Sequence, residues 1–265
     1  MSDLTIPTHN QSKIHSTIVI MSGKGGVGKS SVTGLLAVEL NRRGYRVGIL
    51  DADITGPSIA KMFGRSNHQA YGTEDGIFPL ESDKGIKLMS INFLLPQDDS
   101  PVVWRAPLIN SALRQFWTDV IWGELDFLLL DLPPGTGDVP LTVFQSFAPQ
   151  GVIMVTTPQD LVAMIVKKAY HMAQTMHVPI LGLVENMSYI TCPDCGRRID
   201  LFGEGKTAAL GAELGVEFLG SLPLNPEIAA LCDQGRIEDV APRFLGGWVD
   251  SLPERTGLLG GISRV

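Results

Sequence analysis

Gly23-Lys24-Gly25-Gly26-Val27-Gly28-Lys29-Ser30 follows a short apolar run at residues 17–21 and opens a helical stretch at residues 30–43. The octet fits G-x-x-x-x-G-K-[ST], and a strand before it with a helix after it is the context that pattern needs. Its chemistry is that of a phosphate cradle. Glycines let the backbone curl until successive N–H groups face one anion, and the helix N-terminus adds its partial positive charge. In such a loop Lys29 reaches the β- and γ-phosphates and the Ser30 hydroxyl ligates Mg²⁺, with Ser31 just behind it in the helix. The plainer reading is a Gly-rich turn without a ligand. Lys24 has no part in the basic motif. By position alone it reads equally as a solvated surface lysine or as a second cation facing charge that develops in phosphoryl transfer.

Outward from this loop, strand and helix alternate. Strand-sized apolar runs occur at 17–21, 45–50, 86–92, 127–130, 151–156, 180–184 and 218–220, and they read as fully buried parallel strands. Helical stretches lie between them at 30–43, 108–121, 139–147 and 160–176. In the last, Val162, Ile165, Val166, Ala169, Ala173 and Met176 recur at helical spacing on one face. The order predicts an α/β fold in one domain: a doubly wound, mostly parallel sheet with helices on both faces, three layers in all. Two stretches break the rhythm. Residues 64–85 read as a long loop or small hairpin, and residues 185–206 as an excursion from the sheet. The expected boundaries are a loose N-terminal arm over 1–16, the domain over 17–255 and a flexible tail over 256–265.

Composition narrows the function. The 265 residues are 44% hydrophobic and 18% charged, which suits a well-packed core. A formal net charge of −7 argues against a broadly basic nucleic-acid binder. Nothing in the apolar runs is long enough to span a membrane, and residues 1–16 lack the features of a signal or transit peptide. The expectation is a cytoplasmic protein with neither membrane nor nucleic acid among its partners. Three cysteines, Cys192, Cys195 and Cys232, are too few for a disulfide framework.

Two further clusters carry chemistry. Asp51 and Asp53 follow the run at 45–50, at the strand ends where a parallel sheet forms its ligand crevice. An Asp there orients water toward a γ-phosphate or holds Mg²⁺ through water. Asp131 ends Phe127-Leu128-Leu129-Leu130, the arrangement of a metal-holding Walker B acid. Each of these also reads, singly, as a helix cap or turn residue. Cys192-Pro193-Asp194-Cys195-Gly196 sets two thiols on a tight turn. Soft thiolates select zinc or iron–sulfur clusters, which want four ligands where this turn has two. Two chains sharing one centre is the reading that ligand counting suggests, with a dithiol redox pair or partial zinc ribbon as alternatives. Cys232, beside Ala229, Ala230 and Leu231, reads as a buried apolar residue.

The order of these motifs resembles the Mrp/ApbC family of deviant-Walker P-loop ATPases, relatives of MinD, ParA and nitrogenase iron protein. It is carried by Gly23–Ser30 with Lys24, Asp51-Ala52-Asp53-Ile54-Thr55-Gly56-Pro57-Ser58, Asp131-Leu132-Pro133-Pro134-Gly135-Thr136-Gly137-Asp138, and Glu185-Asn186-Met187-Ser188 running into the cysteines. Val103-Trp104-Arg105-Ala106-Pro107, with Ala106 where Gly is expected, and Phe202-Gly203-Glu204-Gly205 are also similar. The resemblance implies a P-loop NTPase that hydrolyses ATP with Mg²⁺ as a homodimer. It implies that Lys24 reaches the partner's nucleotide, that Asp53 positions the attacking water with Asp51 in support, and that Ser30, Asp53 and Asp131 serve Mg²⁺. It implies that Asn186 reads the adenine amino edge and that Leu222-Pro223-Leu224 packs on the base. Cys192 and Cys195 then bridge a [4Fe–4S] cluster between subunits for delivery to apo iron–sulfur proteins. The sequence departs from some relatives, which carry an extra N-terminal domain or a four-cysteine motif, and the expectation is a minimal ATPase core. The competing reading is a MinD- or ParA-like switch with structural zinc at the cysteines.

Overall fold

The computed structural model describes residues 5–53, 58–94, 106–159, 162–203, 205–242 and 244–258. Ile54, Thr55, Gly56, Pro57, Val103, Trp104, Arg105, Asp160, Glu204 and residues 259–265 lie outside the described residues.

In chain order the elements are β1 (Lys13–Ser22), α1 (Lys29–Arg42), β2 (Val47–Asp51), α2 (Ile59–Met62), β3 (Tyr71–Gly72), β4 (Ile77–Phe78), β5 (Leu80–Glu81), β6 (Lys87–Ser90) and α3 (Ala106–Thr118). There follow β7 (Glu124–Asp131), α4 (Asp138–Ser146), β8 (Gly151–Thr156), α5 (Val162–Thr175), β9 (Ile180–Thr191), β10 (Arg198–Asp200), α6 (Thr207–Leu214), β11 (Phe218–Pro223), α7 (Pro226–Asp233) and α8 (Leu252–Arg255). The main sheet runs β10-β9-β8-β1-β7-β2-β6-β5, with β11 also paired to β9. Its pairs are parallel except β9–β10 and β5–β6. The helices flank it, and the doubly wound α/β architecture is the one that strand–helix alternation predicts.

Burial on both faces explains the sequence of the central strands. Ile18, Ile20 and Phe127 through Leu130 are fully buried, so these strands are continuously apolar rather than alternating. Each such Leu or Ile stabilises the fold by about 1.5–3 kcal/mol. Close packing also dictates one glycine: a Cβ at Gly48 on β2 would stand 2.7 Å from Leu125 Cδ1 and 3.0 Å from the Trp122 ring. At the opposite end of the sheet from the phosphate loop, Arg46 ties β2 to β7. Its backbone N–H donates to Asp126 Oδ2 at 2.8 Å and its guanidinium to Oδ1 at 2.9 Å.

Several boundaries differ from expectation. The segment read as a loose arm is docked over residues 5–12: Ile6 N–H donates to the Ser146 carbonyl, and Trp117 Nε1 donates to the Ile6 carbonyl at 2.9 Å. β1 then begins at Lys13, where pairing with Glu124 of β7 decides the start rather than hydropathy. In the segment read as a tail, Thr256 and Leu258 are buried. Residues 64–85 do contain a small hairpin, β3–β4, with Tyr71 stacked on Phe78 at 4.9 Å. The 218–220 run is not fully buried: only Leu219 of the three is. The excursion at 185–206 begins as strand, because β9 continues to Thr191 and folds back as β10. Among the described residues, no helix is long and apolar enough to cross a membrane.

Candidate functional site

Register brings the acids together. β2 pairs with β7 so that Asp51 and Asp131 are direct neighbours at the carboxyl ends of their strands, and β1 places Ile20 beside Asp131. The chain leaving β1 two residues later is the glycine-rich loop, so the loop and both acids share one crevice. Asp131 is wholly buried and accepts three hydrogen bonds. They come from Lys29 Nζ at 2.7 Å, Ser30 Oγ at 2.5 Å and Thr33 Oγ1 at 2.9 Å. Lys29 Nζ also lies 3.7 Å from Asp53 Oδ2. Asp51 accepts from the Asp53 N–H through Oδ1, while its Oδ2 has no partner among the described residues. Burial first, and then the Asp131 charge, push the Asp51 carboxyl well above its usual range, although Lys29 pulls the other way. One ammonium thus faces three acids, so negative charge outweighs positive charge in this buried corner.

The loop holds its shape through left-handed glycines and one remote side chain. Gly26 and Gly28 have φ of 79° and 77°, values that disfavour any other residue. Gly28 caps α1 without a side-chain cap bond, and first-turn N–H groups left that way form an anion site. Asn186 Nδ2, from β9, donates to the Val27 carbonyl at 2.9 Å, and a Cβ on Gly28 would strike that amide. Ser22 Oγ donates to the Lys24 carbonyl, and the Gly135 N–H donates to the Ser22 carbonyl. The resulting cavity of about 310 Å³ is lined by Gly25 through Ser31, Ser22, Asp53, Ser58 and Pro134.

The predicted site residues therefore fall into groups. Gly25, Gly26, Val27, Gly28, Lys29, Ser30, Ser31 and Asp53 converge on the cavity, and Asp51 and Asp131 lie beneath it. Asn186 meets the loop from the side. Gly23 is half-buried, and Lys24 is exposed on the loop's outer edge. Pro223, at the end of β11, pairs with Tyr189 rather than lining the cavity. Ser58 and Pro134 lie in stretches that carry the resemblance but had no role given to them, and Ser22 and Thr33 were not named from sequence. For Thr33 a signal existed, since it stands one helical turn beyond Lys29 and so shares its face.

Cys192 and Cys195 stand apart, at the tip of the β9–β10 hairpin. The turn is closed by Gly196 N–H donating to the Cys192 carbonyl and by Cys192 N–H donating to the Arg197 carbonyl, both 2.9 Å. Gly196 takes φ of 68°, which lets the chain reverse. The backbone N–H groups of Cys195 and Asp194, and then the Cys195 thiol, hydrogen-bond to the Cys192 sulfur and hold it below the ordinary thiol range. That favours the thiolate, the form that ligates metal. Among the described residues no group of three or more His, Cys, Asp or Glu side chains is arranged to hold a metal. Cys232 is half-buried on α7, and burial raises its thiol.

A phosphate-facing loop at the carboxyl end of a central parallel strand, with a buried lysine and a strand-end acid behind it, defines a P-loop nucleotide-binding protein. The chain matches, over residues 13–243, the family described as ParA: NUBPL iron-transfer P-loop NTPase, and it belongs to that family. It is 52% identical over 227 residues to the iron–sulfur cluster carrier protein of Methanocaldococcus jannaschii, which covers 85% of this chain and 78% of that protein. Its fold is similar to the nucleotide-binding protein of Archaeoglobus fulgidus in complex with ADP, with a TM-score of 0.78 and 47% identity over 86% of this chain and 90% of that one. The MinD of Pyrococcus horikoshii, complexed with Mg-ADP, shares the fold at a TM-score of 0.62 and 20% identity, over 94% of this chain and 100% of that one. The kinship read from the motifs is thereby borne out.

Proposed function

We propose that this protein is an ATP-hydrolysing carrier that receives a [4Fe–4S] cluster, holds it between two copies of the chain, and passes it to apo iron–sulfur proteins in the cytoplasm. The observation that carries the reading is one strand serving two sites. β9 grips the phosphate loop through Asn186 and ends in the thiol turn at Cys192. In this reading the loop N–H groups and Lys29 bind the β- and γ-phosphates. Ser30, Asp131 and Asp53 are the oxygen donors for Mg²⁺, which neutralises phosphate charge when bound. Asp53 orients the attacking water, and Asp51 supports it from below. Lys24, exposed at the loop's edge, reaches the nucleotide of the second copy. Asn186 and Pro223 flank the adenine. Cys192 and Cys195 are half a coordination shell, and the same pair from the second copy completes it.

Anaerobic reconstitution with iron and sulfide tests this. The expected product is a brown dimer holding about four irons, and Cys192→Ser loses the colour while ATP still binds. About one exchange-resistant zinc per dimer, with no iron uptake, would instead favour a switch with a structural metal.

A further inference from the structure

Glu185 is a buried carboxyl that the nucleotide chemistry does not use. It lies on β9, 2% exposed, immediately before Asn186. Among the described residues its two oxygens accept from hydroxyls: Oε1 from Ser188 Oγ at 2.5 Å, and Oε2 from Thr207 Oγ1. Ser188 is on the outgoing leg of the cysteine hairpin. Thr207 is the first residue of α6, where the returning leg re-enters the fold. Between them, Gly205 passes so close that any side chain there would collide with the Glu185 carboxyl. The neighbouring backbone is bent as well: Met187 holds a left-handed φ of 55° inside β9, a conformation that persists only where its surroundings enforce it.

We propose that Glu185 is a positioning residue for the thiol pair: it ties both legs of the hairpin to the strand segment that grips the phosphate loop. This deepens the carrier reading and rests on it. One carboxyl bonded to both ends of an excursion closes that excursion at its base. The thiols at the tip are then held at one angle to the domain. Because Asn186 is the next residue, the same segment that fixes the hairpin also contacts the Val27 carbonyl.

Thr207→Val removes one hydroxyl and keeps the shape, and Thr207→Ser restores the hydroxyl. Two measurements follow. In metal-free protein, amide hydrogen exchange over residues 188–200 quickens about tenfold in Thr207→Val, stays within about twofold of the parent in Thr207→Ser, and is unchanged in β1, β7 and β8. In reconstituted protein, a chelator strips iron about five- to tenfold faster from Thr207→Val than from the parent or Thr207→Ser, while ATP affinity is the same in all three. Unchanged exchange in the hairpin overturns the proposal. So does exchange that quickens equally across the whole sheet, which would mean general destabilisation. Equal iron loss from Thr207→Val and the parent also overturns it. A parent chain that takes up no cluster refutes the carrier reading instead, and the exchange measurement still decides whether Glu185 ties the hairpin.

Discussion

Lys29 concentrates the electrostatics of the site. It is a buried ammonium that donates to Asp131 at 2.7 Å and to Ser30 Oγ at 3.3 Å and pairs with Asp53 at 3.7 Å. Removing it takes away the principal cation that faces phosphate and leaves Asp131 buried with only hydroxyl donors. A charge left that way costs about 3–5 kcal/mol. Lys29→Ala is therefore expected to lower stability by roughly that amount and to abolish ATP hydrolysis. Reconstituted iron content should survive, because the thiols sit on a separate turn. Phosphate release and iron counts on the same preparation check this, and persisting turnover would remove Lys29 from the mechanism. The loop was legible because its glycines, lysine and serine are contiguous. The three-way bonding of Asp131 was not, because Thr33 joins it only once β7 is registered beside β1.

Register and close packing act at the level of strands. Asp126, at the start of β7, is buried. Burial alone would raise its pKa, but the Arg46 guanidinium and backbone N–H more than offset that and hold it below the usual carboxylate value. A depressed carboxyl contributes stability that is present above its unfolded value of 3.8 and lost as pH falls through the lower folded value. Asp126→Asn should cost about 1–3 kcal/mol at pH 7. The gap between variant and parent should close below pH 3.8, as urea melts across pH would register. A gap independent of pH would show that shape, not charge, holds the corner. Strand existence was readable from apolar runs such as Phe127 through Leu130. The length of β9 was not, because Glu185-Asn186-Met187-Ser188 carries no apolar signal. Pairing at its two ends carries the strand through: β8 and β11 hold Glu185, and β10 and β11 hold the chain again from Tyr189.

Two features of the whole chain point outward. Lys24 is exposed at the rim of the phosphate loop, and the thiol pair is at the tip of an edge hairpin. Both match a protein completed by its own copy across a two-fold axis. If Lys24 serves the partner's nucleotide, neither Lys24→Ala nor Lys29→Ala alone hydrolyses ATP, yet a mixture of the two does. One site of each mixed dimer then has both lysines. Random pairing makes half the dimers mixed, so an equimolar mixture should recover about one quarter of parental turnover. A mixture as inert as its components would place Lys24 outside the partner's site.

Contiguous chemistry was therefore open to reading from residues alone: the phosphate loop, the alternating strands and helices, the strand-end acids and the cysteine turn. Each depends on neighbours in the chain, so local spacing carries it. Long-range choices were settled only on folding. They include the pairing of Asp51 with Asp131, the grip of Asn186 on Val27 across 159 positions, the docking of residues 5–12, and the Glu185 tie beneath the cysteines. These rest on strand order and on polar groups meeting in a dry interior. No one-dimensional pattern records which distant donor will satisfy a buried acceptor.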